Sequence, residues 1–498
     1  MSLPDPQQPQ TAYRPEPLCW HCRPFGELIR LAWPMAVAFL SFTVMTLVDT
    51  LIVGRLGTAE LAGVGLGGTA VFFLLCFSFG LLQGAKVLVS QAIGAGRRDE
   101  VLRYVAVSLT AAFLLGLVTV GVSELVAQSV AELAATEASG RAARTYMRIR
   151  ALGAPIVLVQ VALREILQAQ GNARAPMVAT VAANVINVVL ALVFVFGLHM
   201  GVAGAASATL VAHVVEVAVV IRVQRSLGGF GLLPARTCRR AAVLLRALRE
   251  RAFEPSHWRQ LLRMGLPTGL QFALEVGSFA MLTLAVATFS EVDMAAHQIA
   301  LQVVHFSFMP CLAVGEAASV LVGQAVGATR DDLVRHVGRR AAGLAVVYAG
   351  LCSCVFLFAG RFVAARFISD AAVVALAVRL LFVAGLFGLF DALNTVARGV
   401  LRGAGDVRYA AVVGVAVAWV CTPTLAWGLG HGLGMGALGG WLGIAAEIVA
   451  TAAVFGFRVE RLGWAKAAAA ARAKLVRTET ERPGSRAHSE QAWEPEPG

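Results

Sequence analysis

Ser90-Gln91-Ala92-Ile93-Gly94-Ala95 returns as Gly323-Gln324-Ala325-Val326-Gly327-Ala328, at an offset of 233 residues. The recurrence extends in both directions. Upstream, Leu28-Ile29-Arg30 followed by Pro34 matches Leu261-Leu262-Arg263 followed by Pro267. Downstream, the run from Arg164 through Gly171 to Arg174 aligns with the run from Arg398 through Gly405 to Arg408, now at an offset of 234. Gly197 and Gly201 match Gly430 and Gly434. An offset that drifts by one residue over this distance marks a duplicated unit of roughly 200 residues, a build common among secondary transporters.

Both copies are apolar throughout. The 498 residues are 58% hydrophobic and 14% charged, against about 25% charged in an ordinary soluble domain. The apolar residues fall into runs long enough to cross a bilayer, about 20 residues each. Inside lipid the backbone must satisfy its own hydrogen bonds, so these runs are expected to be helices. The period-2 alternation of a membrane β-barrel is absent.

Twelve such segments are expected: 28–54, 61–88, 102–124, 147–169, 175–198 and 202–222 in the first copy, then 260–288, 295–321, 341–360, 375–397, 409–429 and 435–457 in the second. The predicted organisation is a polar tail (1–27), a first six-helix bundle (28–222), a basic linker (223–257), a second six-helix bundle (258–458) and a disordered tail (459–498). An even number of spans per copy makes both copies enter the membrane in the same sense, as parallel repeats.

The net charge of +12 is carried by arginine, with lysine only at Lys86, Lys466 and Lys474. It lies between the apolar segments, so it reports topology and not nucleic-acid binding. The even-numbered loops are basic, with Arg97, Arg98 and Arg103 in one and Arg330, Arg335, Arg339 and Arg340 in another. Glu124, Glu132 and Glu137, and then Glu291 and Asp293, lie on the other side, although Arg361 and Arg366 dissent mildly. A multi-pass plasma (inner) membrane protein with both termini cytoplasmic is predicted. No apolar leader precedes the first span, which would direct its own insertion. Cys19 and Cys22 form a CxxC without the further ligands of a metal site, and read as a bystander pair.

Most repeated residues are Gly, Pro, Arg and Gln at helix ends, the materials of a scaffold. The acidic residues inside the segments break the repeat. Glu275 in segment 7 stands opposite Phe42, Asp391 in segment 10 opposite Val157, and Asp49 in segment 1 opposite Leu282. An ionised carboxylate at mid-bilayer costs at least about 2.5 kcal/mol, so each must face a polar cavity, pair with an internal cation or take a proton. Lys86 is a candidate counter-ion for one of them, or a snorkelling side chain. Glu216 and Glu447 occupy similar places in the two copies and read as structural, as does Glu316 opposite Gln83. His297 and Gln298 open segment 8 and are secondary candidates beside segment 7. No P-loop, HExxH or GxSxG motif is present, and the glycines of 428–440 fit a tight turn. The chain is therefore expected to be no enzyme and to need no cofactor, with transport driven by an ion gradient.

Val48-Asp49-Thr50 leading to Gly54-Arg55-Leu56-Gly57, Leu274-Glu275-Val276, Ala295-Ala296-His297-Gln298, Val322-Gly323-Gln324 and Asp391-Ala392 before Leu401-Arg402-Gly403 together resemble the multidrug and toxic compound extrusion (MATE) family over 28–460. The resemblance implies an all-α membrane fold of twelve helices, two six-helix bundles forming a V around a central cavity. It implies antiport of organic cations against Na+ or H+, through contacts with small molecules and lipid but not nucleic acid. Asp49, Glu275 and Asp391 fall where the NorM-like branch carries acidic residues linked to ion coupling. Asn394 could join Asp391 around a Na+. Phe42, Met45 and Phe272 are candidates for the cavity wall. A monomer is expected, since the duplication supplies both halves of a pathway. Export of a lipid-linked or other non-cationic solute on the same architecture is the alternative.

Overall fold

A computed structural model describes Leu18 and residues 20–226 and 253–480. Cys19, most of the basic linker and the last residues of the tail lie outside the described residues. Among the described residues the chain is helical, with no strand. The first half comprises α1 (Pro24–Gly54), α2 (Thr58–Gly94), α3 (Arg98–Glu132), α4 (Glu137–Leu152), α5 (Ala154–Ala169), α6 (Arg174–Leu192) and α7 (Gly201–Ser226). The second comprises α8 (Pro255–Ala287), α9 (Glu291–Gly327), α10 (Asp331–Ala364), α11 (Ala371–Gly403), α12 (Val407–Trp427), α13 (Ala437–Glu460) and a further helix, α14 (Ala465–Thr480).

Every expected segment lies on a helix, and the fourth is broken. α4 and α5 meet at a bend of 51° around Gly153. Pro155 lacks an N–H and its ring crowds the preceding turn, while Gly153 supplies no Cβ to resist the bend. Counting that pair as one span gives twelve candidate membrane crossings among the described residues. The tail departs from expectation: residues 465–480, read as disordered, form α14, and Trp464 and Ala468 at its start are buried in the core. Their apolar surface, flanked by alanines, finds a wall to cover it that the linear sequence does not reveal.

The repeat is visible in the turns. Gly171 and Gly405 end α5 and α11 with φ of +81° and +86°, a left-handed conformation that glycine enters without Cβ strain. α6 and α12 each finish in a five-residue π-turn, Val193–Gly197 and Gly428–Gly432.

The stretch that announces the repeat is where the halves cross. A Cβ on Gly94 would lie 1.9 Å from the Gln324 carbonyl oxygen, and one on Gly327 would lie 2.0 Å from that of Gln91. α2 and α9 thus touch backbone to backbone about a pseudo-two-fold axis, the close approach that small residues permit. The glutamines then exchange bonds: Gln91 Nε2 donates to the Gly403 carbonyl at 3.0 Å, and Gln324 Nε2 to the Ala169 carbonyl at 2.9 Å. Gly403 and Ala169 are themselves repeat partners.

Packing between the halves is concentrated at this end, which also carries the start of α1 and the start of α14. Leu28, Leu31 and Met35 of α1 share a core with Ala317, Leu321 and Ala325 of α9. Leu81, Ala85 and Leu88 of α2 share another with Leu261 and Met264 of α8. At the far end the apolar clusters are each confined to one half, as around Ile52 and Ala191 or around Leu282 and Trp441. Leu47 and Leu51 on α1 and Met281 and Leu284 on α8 are exposed there. The two bundles form a V, closed at the end where α1 begins and open at the other.

Candidate ion and substrate site

Glu275 lies in the middle of α8, one turn after Gln271. Its Oε2 accepts from Arg398 Nη1 of α11 at 2.6 Å, and its Oε1 accepts from Gln271 Nε2 at 2.9 Å. The side chains of Arg398 and Glu275 are 19% and 16% exposed, so the pair borders accessible space. Asp391, two turns before Arg398 on the same helix, feels that guanidinium. Glu447 on α13 accepts from the Thr422 hydroxyl and lies within electrostatic reach of Glu275, Asp391 and Arg398. Asn394, one turn beyond Asp391, is buried with its Oδ1 unpartnered. The second half therefore gathers three carboxylates, one guanidinium and a spare amide oxygen.

Two members of this cluster, Arg398 and Glu447, were missed from sequence. Arg398 duplicates Arg164 and was grouped with the repeated interface arginines. Its signal lay one residue further, where Glu165 in the first copy becomes Gly399 in the second. Arg164 turns to that adjacent Glu165 at 3.2 Å, while Arg398 has no neighbouring acid and reaches Glu275. Glu447 was discounted because Glu216 holds a similar place. Glu216, however, is enclosed by Gln160 at 2.8 Å and Thr180 at 2.5 Å within the first half.

Asp49 stands apart, late on α1 in the opposite wall of the V. Its Oδ1 is buried without a hydrogen-bond partner, and Arg150 of α4 acts on it electrostatically. Asn184 and Ser41 are bonded at 2.7 Å, and Asn187 and Thr209 at 3.2 Å, on α1, α6 and α7.

The secondary candidates disperse. Lys86 is not a counter-ion of Asp49, Glu275 or Asp391. It lies late on α2, near the closed end, 2.6 Å from Glu165 and bonded also to Glu316 of the other half. Arg402 completes this lock, 3.2 Å from Glu316 and bonded to Gln83. Lys86 is 3% exposed and both glutamates 4%, so the lock ties the halves together where water is excluded. His297 is fully buried between Trp441 and Thr283. Trp441 Nε1 donates to its Nδ1 at 3.0 Å. An indole N–H can only donate, so Nδ1 is bare and Nε2 carries the proton toward Thr283 at 3.3 Å. That arrangement is a structural anchor of α8, α9 and α13. Gln298 is exposed. Of the wall candidates, Phe42 is exposed and Phe272 half-buried, whereas Met45, expected there too, is buried and offers no surface.

Two duplicated helical bundles, joined at one end, parted at the other and holding intramembrane carboxylates in both walls, define a membrane transporter. The MatE family model matches residues 34–193 and 267–427, and the chain belongs to the MATE family, whose members are transporters and not enzymes. It is 30% identical over 443 residues to a protein of Pseudomonas syringae pv. tomato named "Probable multidrug resistance protein NorM", covering 87% of this chain and 94% of that one. A Bradyrhizobium diazoefficiens protein of the same name is 32% identical, over 84% of this chain and 89% of its own. Among solved structures, one described as the outward-facing conformation of a multidrug resistance MATE family transporter superposes with a TM-score of 0.80 at 21% identity, covering 89% of this chain and 96% of that one. A MOP superfamily transporter from Pyrococcus furiosus, described by the reverse polarity of its binding pocket, also gives 0.80, at 22% identity, over 89% and 96%.

Proposed function

We propose that this chain exports organic cations across the inner membrane in exchange for Na+ or H+. The observation that carries this reading is the placement of carboxylates foreign to the repeat, Asp49 in one wall and Glu275 and Asp391 in the other. Such groups are expensive in a membrane, and intramembrane carboxylates bordering a cavity commonly mark ion or proton pathways. The names of the bacterial relatives as multidrug resistance proteins support the same direction.

On this reading the closed end, with its basic loops, faces the cytoplasm and the V opens outward. A cationic amphiphile enters from the cytoplasm or inner leaflet when the lock at Lys86, Glu165, Glu316 and Arg402 parts. Its rings rest on Phe42 and Phe272, and its charge sits against Asp391. After the bundles rock outward, an incoming ion neutralises a carboxylate and releases the drug. Coupling requires that ion and drug prefer different states or compete for one site. A single chain suffices, because both walls belong to it.

The test is efflux of ethidium from proteoliposomes under an imposed Na+ gradient and, separately, an imposed pH gradient. Transport under either supports a cation antiporter; transport under neither by folded protein refutes it. One observation favours a second reading, export of a lipid-linked or other non-cationic solute: Arg398 sets a partly exposed positive charge in the site. Uptake of an anionic probe with no ethidium transport would select it.

A further inference from the structure

We propose that Arg398 is the residue that sets the coupling ion: a tethered internal cation that takes the place of Na+ beside Glu275 and leaves that carboxylate to a proton. The inference rests on the antiport reading above and adds the identity of the ion.

Sodium, a hard cation, is held by several oxygens converging on one point. Around Glu275 that convergence is blocked. One oxygen is held by Arg398 at 2.6 Å and the other by Gln271 at 2.9 Å. Both donors are N–H groups, and one is a fixed positive charge that repels a second cation. The backbone of α12 crowds one further side: a Cβ on Gly414 would lie 3.1 Å from Glu275 Oε1 and 3.1 Å from Gln271 Nε2. The guanidinium cannot leave as a free ion does, and it is further held by the Phe455 ring, 5.8 Å away on α13. A proton makes no such geometric demand, since it needs only one carboxylate oxygen. The charged groups that act on this site from the packed helices are Arg398, bonded to Glu275, and Glu447 on α13, within reach of Glu275 and Arg398; α12 contributes backbone and the Thr422 hydroxyl that holds Glu447.

The duplication shows that this arrangement is not a by-product of the scaffold. Arg164, the repeat partner, contacts Glu165 beside it at 3.2 Å. The second copy replaces that acid with Gly399, whose missing Cβ also lets α11 approach the Gly315 carbonyl of α9, where a Cβ would lie 2.2 Å away. It also places Glu275 where the first copy has Phe42. An arginine kept from the repeat but freed of its adjacent acid meets a glutamate foreign to the repeat in one ion pair.

The experiment compares the full chain with Arg398→Gln and Arg398→Lys. Thermal melting in detergent, in NaCl against choline chloride, reads Na+ binding without transport. The wild type and Arg398→Lys should show no Na+-specific shift, and Arg398→Gln should melt higher in Na+. In proteoliposomes the wild type should move ethidium under a pH gradient and not a Na+ gradient, and Arg398→Gln should gain a Na+-driven component. A Na+-specific shift or Na+-driven efflux in the wild type overturns the proposal. So does an Arg398→Gln protein that folds and remains indifferent to Na+. Failure of ethidium to move under either gradient overturns the antiport reading instead, and the melting comparison still decides whether Arg398 excludes Na+.

Discussion

The crossing of α2 and α9 makes a sharp prediction. Replacing Gly94 by alanine puts a carbon 1.9 Å from the Gln324 carbonyl oxygen. A carbon and an oxygen rest at about 3.3 Å, so the two backbones must part by about 1.4 Å along that line. The obstacle is a helix backbone and not the end of a side chain, so relaxation is costly. Overpacking of this kind typically costs ~1–3 kcal/mol. Every 1.4 kcal/mol is about tenfold in population, so the state with this end closed should lose about 5- to 150-fold against the state with it open. The readout is a single cysteine at Ala325, which is fully buried there, in a chain whose native cysteines have been replaced. Its labelling by a membrane-impermeant maleimide should accelerate in Gly94→Ala, and the melting midpoint in detergent should fall. Gly121→Ala is the control, because nothing lies within 4 Å of its Cβ, and alanine there should be neutral or mildly stabilising. If Gly94→Ala labels and melts like the control, the halves do not touch at this crossing and the V as described is wrong.

Glu275→Gln and Asp391→Asn should each abolish gradient-driven ethidium efflux while inserting at wild-type levels, checked by efflux and by quantifying membrane-embedded protein; wild-type transport in both would end the proposed mechanism. Glu316→Gln leaves Lys86 and Arg402 short of a buried partner, and losing one member of a buried pair costs about 3–5 kcal/mol; a clear drop in melting midpoint is expected, and a surface-like effect below about 0.5 kcal/mol would contradict its burial. Gly171→Ala and Gly405→Ala each force a side chain into the left-handed region at a cost of about 1–2 kcal/mol, so their destabilisations should be similar, as measured by thermal melting; a neutral result at either would deny the positive φ there.

Much of the architecture was legible in one dimension because a membrane leaves few choices. Apolar runs of sufficient length must be helices, and a constant offset between two sets of such runs must be a duplication. The shared residues then located the turns: Gly171 and Gly405, and Gly201 and Gly434, are local demands for absent Cβ atoms. The break at Gly153 was visible as Gly153-Ala154-Pro155 but lay inside a run that hydrophobicity alone reads as continuous. Residues 465–480 were misread because alanine and arginine are compatible with both a solvated tail and a packed helix, and only a surface to pack on distinguishes them.

By itself the sequence determined the spans, the two-fold plan, and which acidic residues stand outside it: Asp49, Glu275 and Asp391 are exceptional against Leu282, Phe42 and Val157 whatever the fold. Partnership was decided by the tertiary structure. Arg398 and Glu275 are 123 residues apart, and Lys86 and Glu316 are 230 apart. Whether such charges meet depends on which helix faces are turned toward each other, and on which end of the V is closed. Side-chain ion pairs act over a few ångströms, whereas spacing along a chain constrains position only within one helix; the assignment of Lys86 to a lock and Arg398 to the site follows from that difference in range.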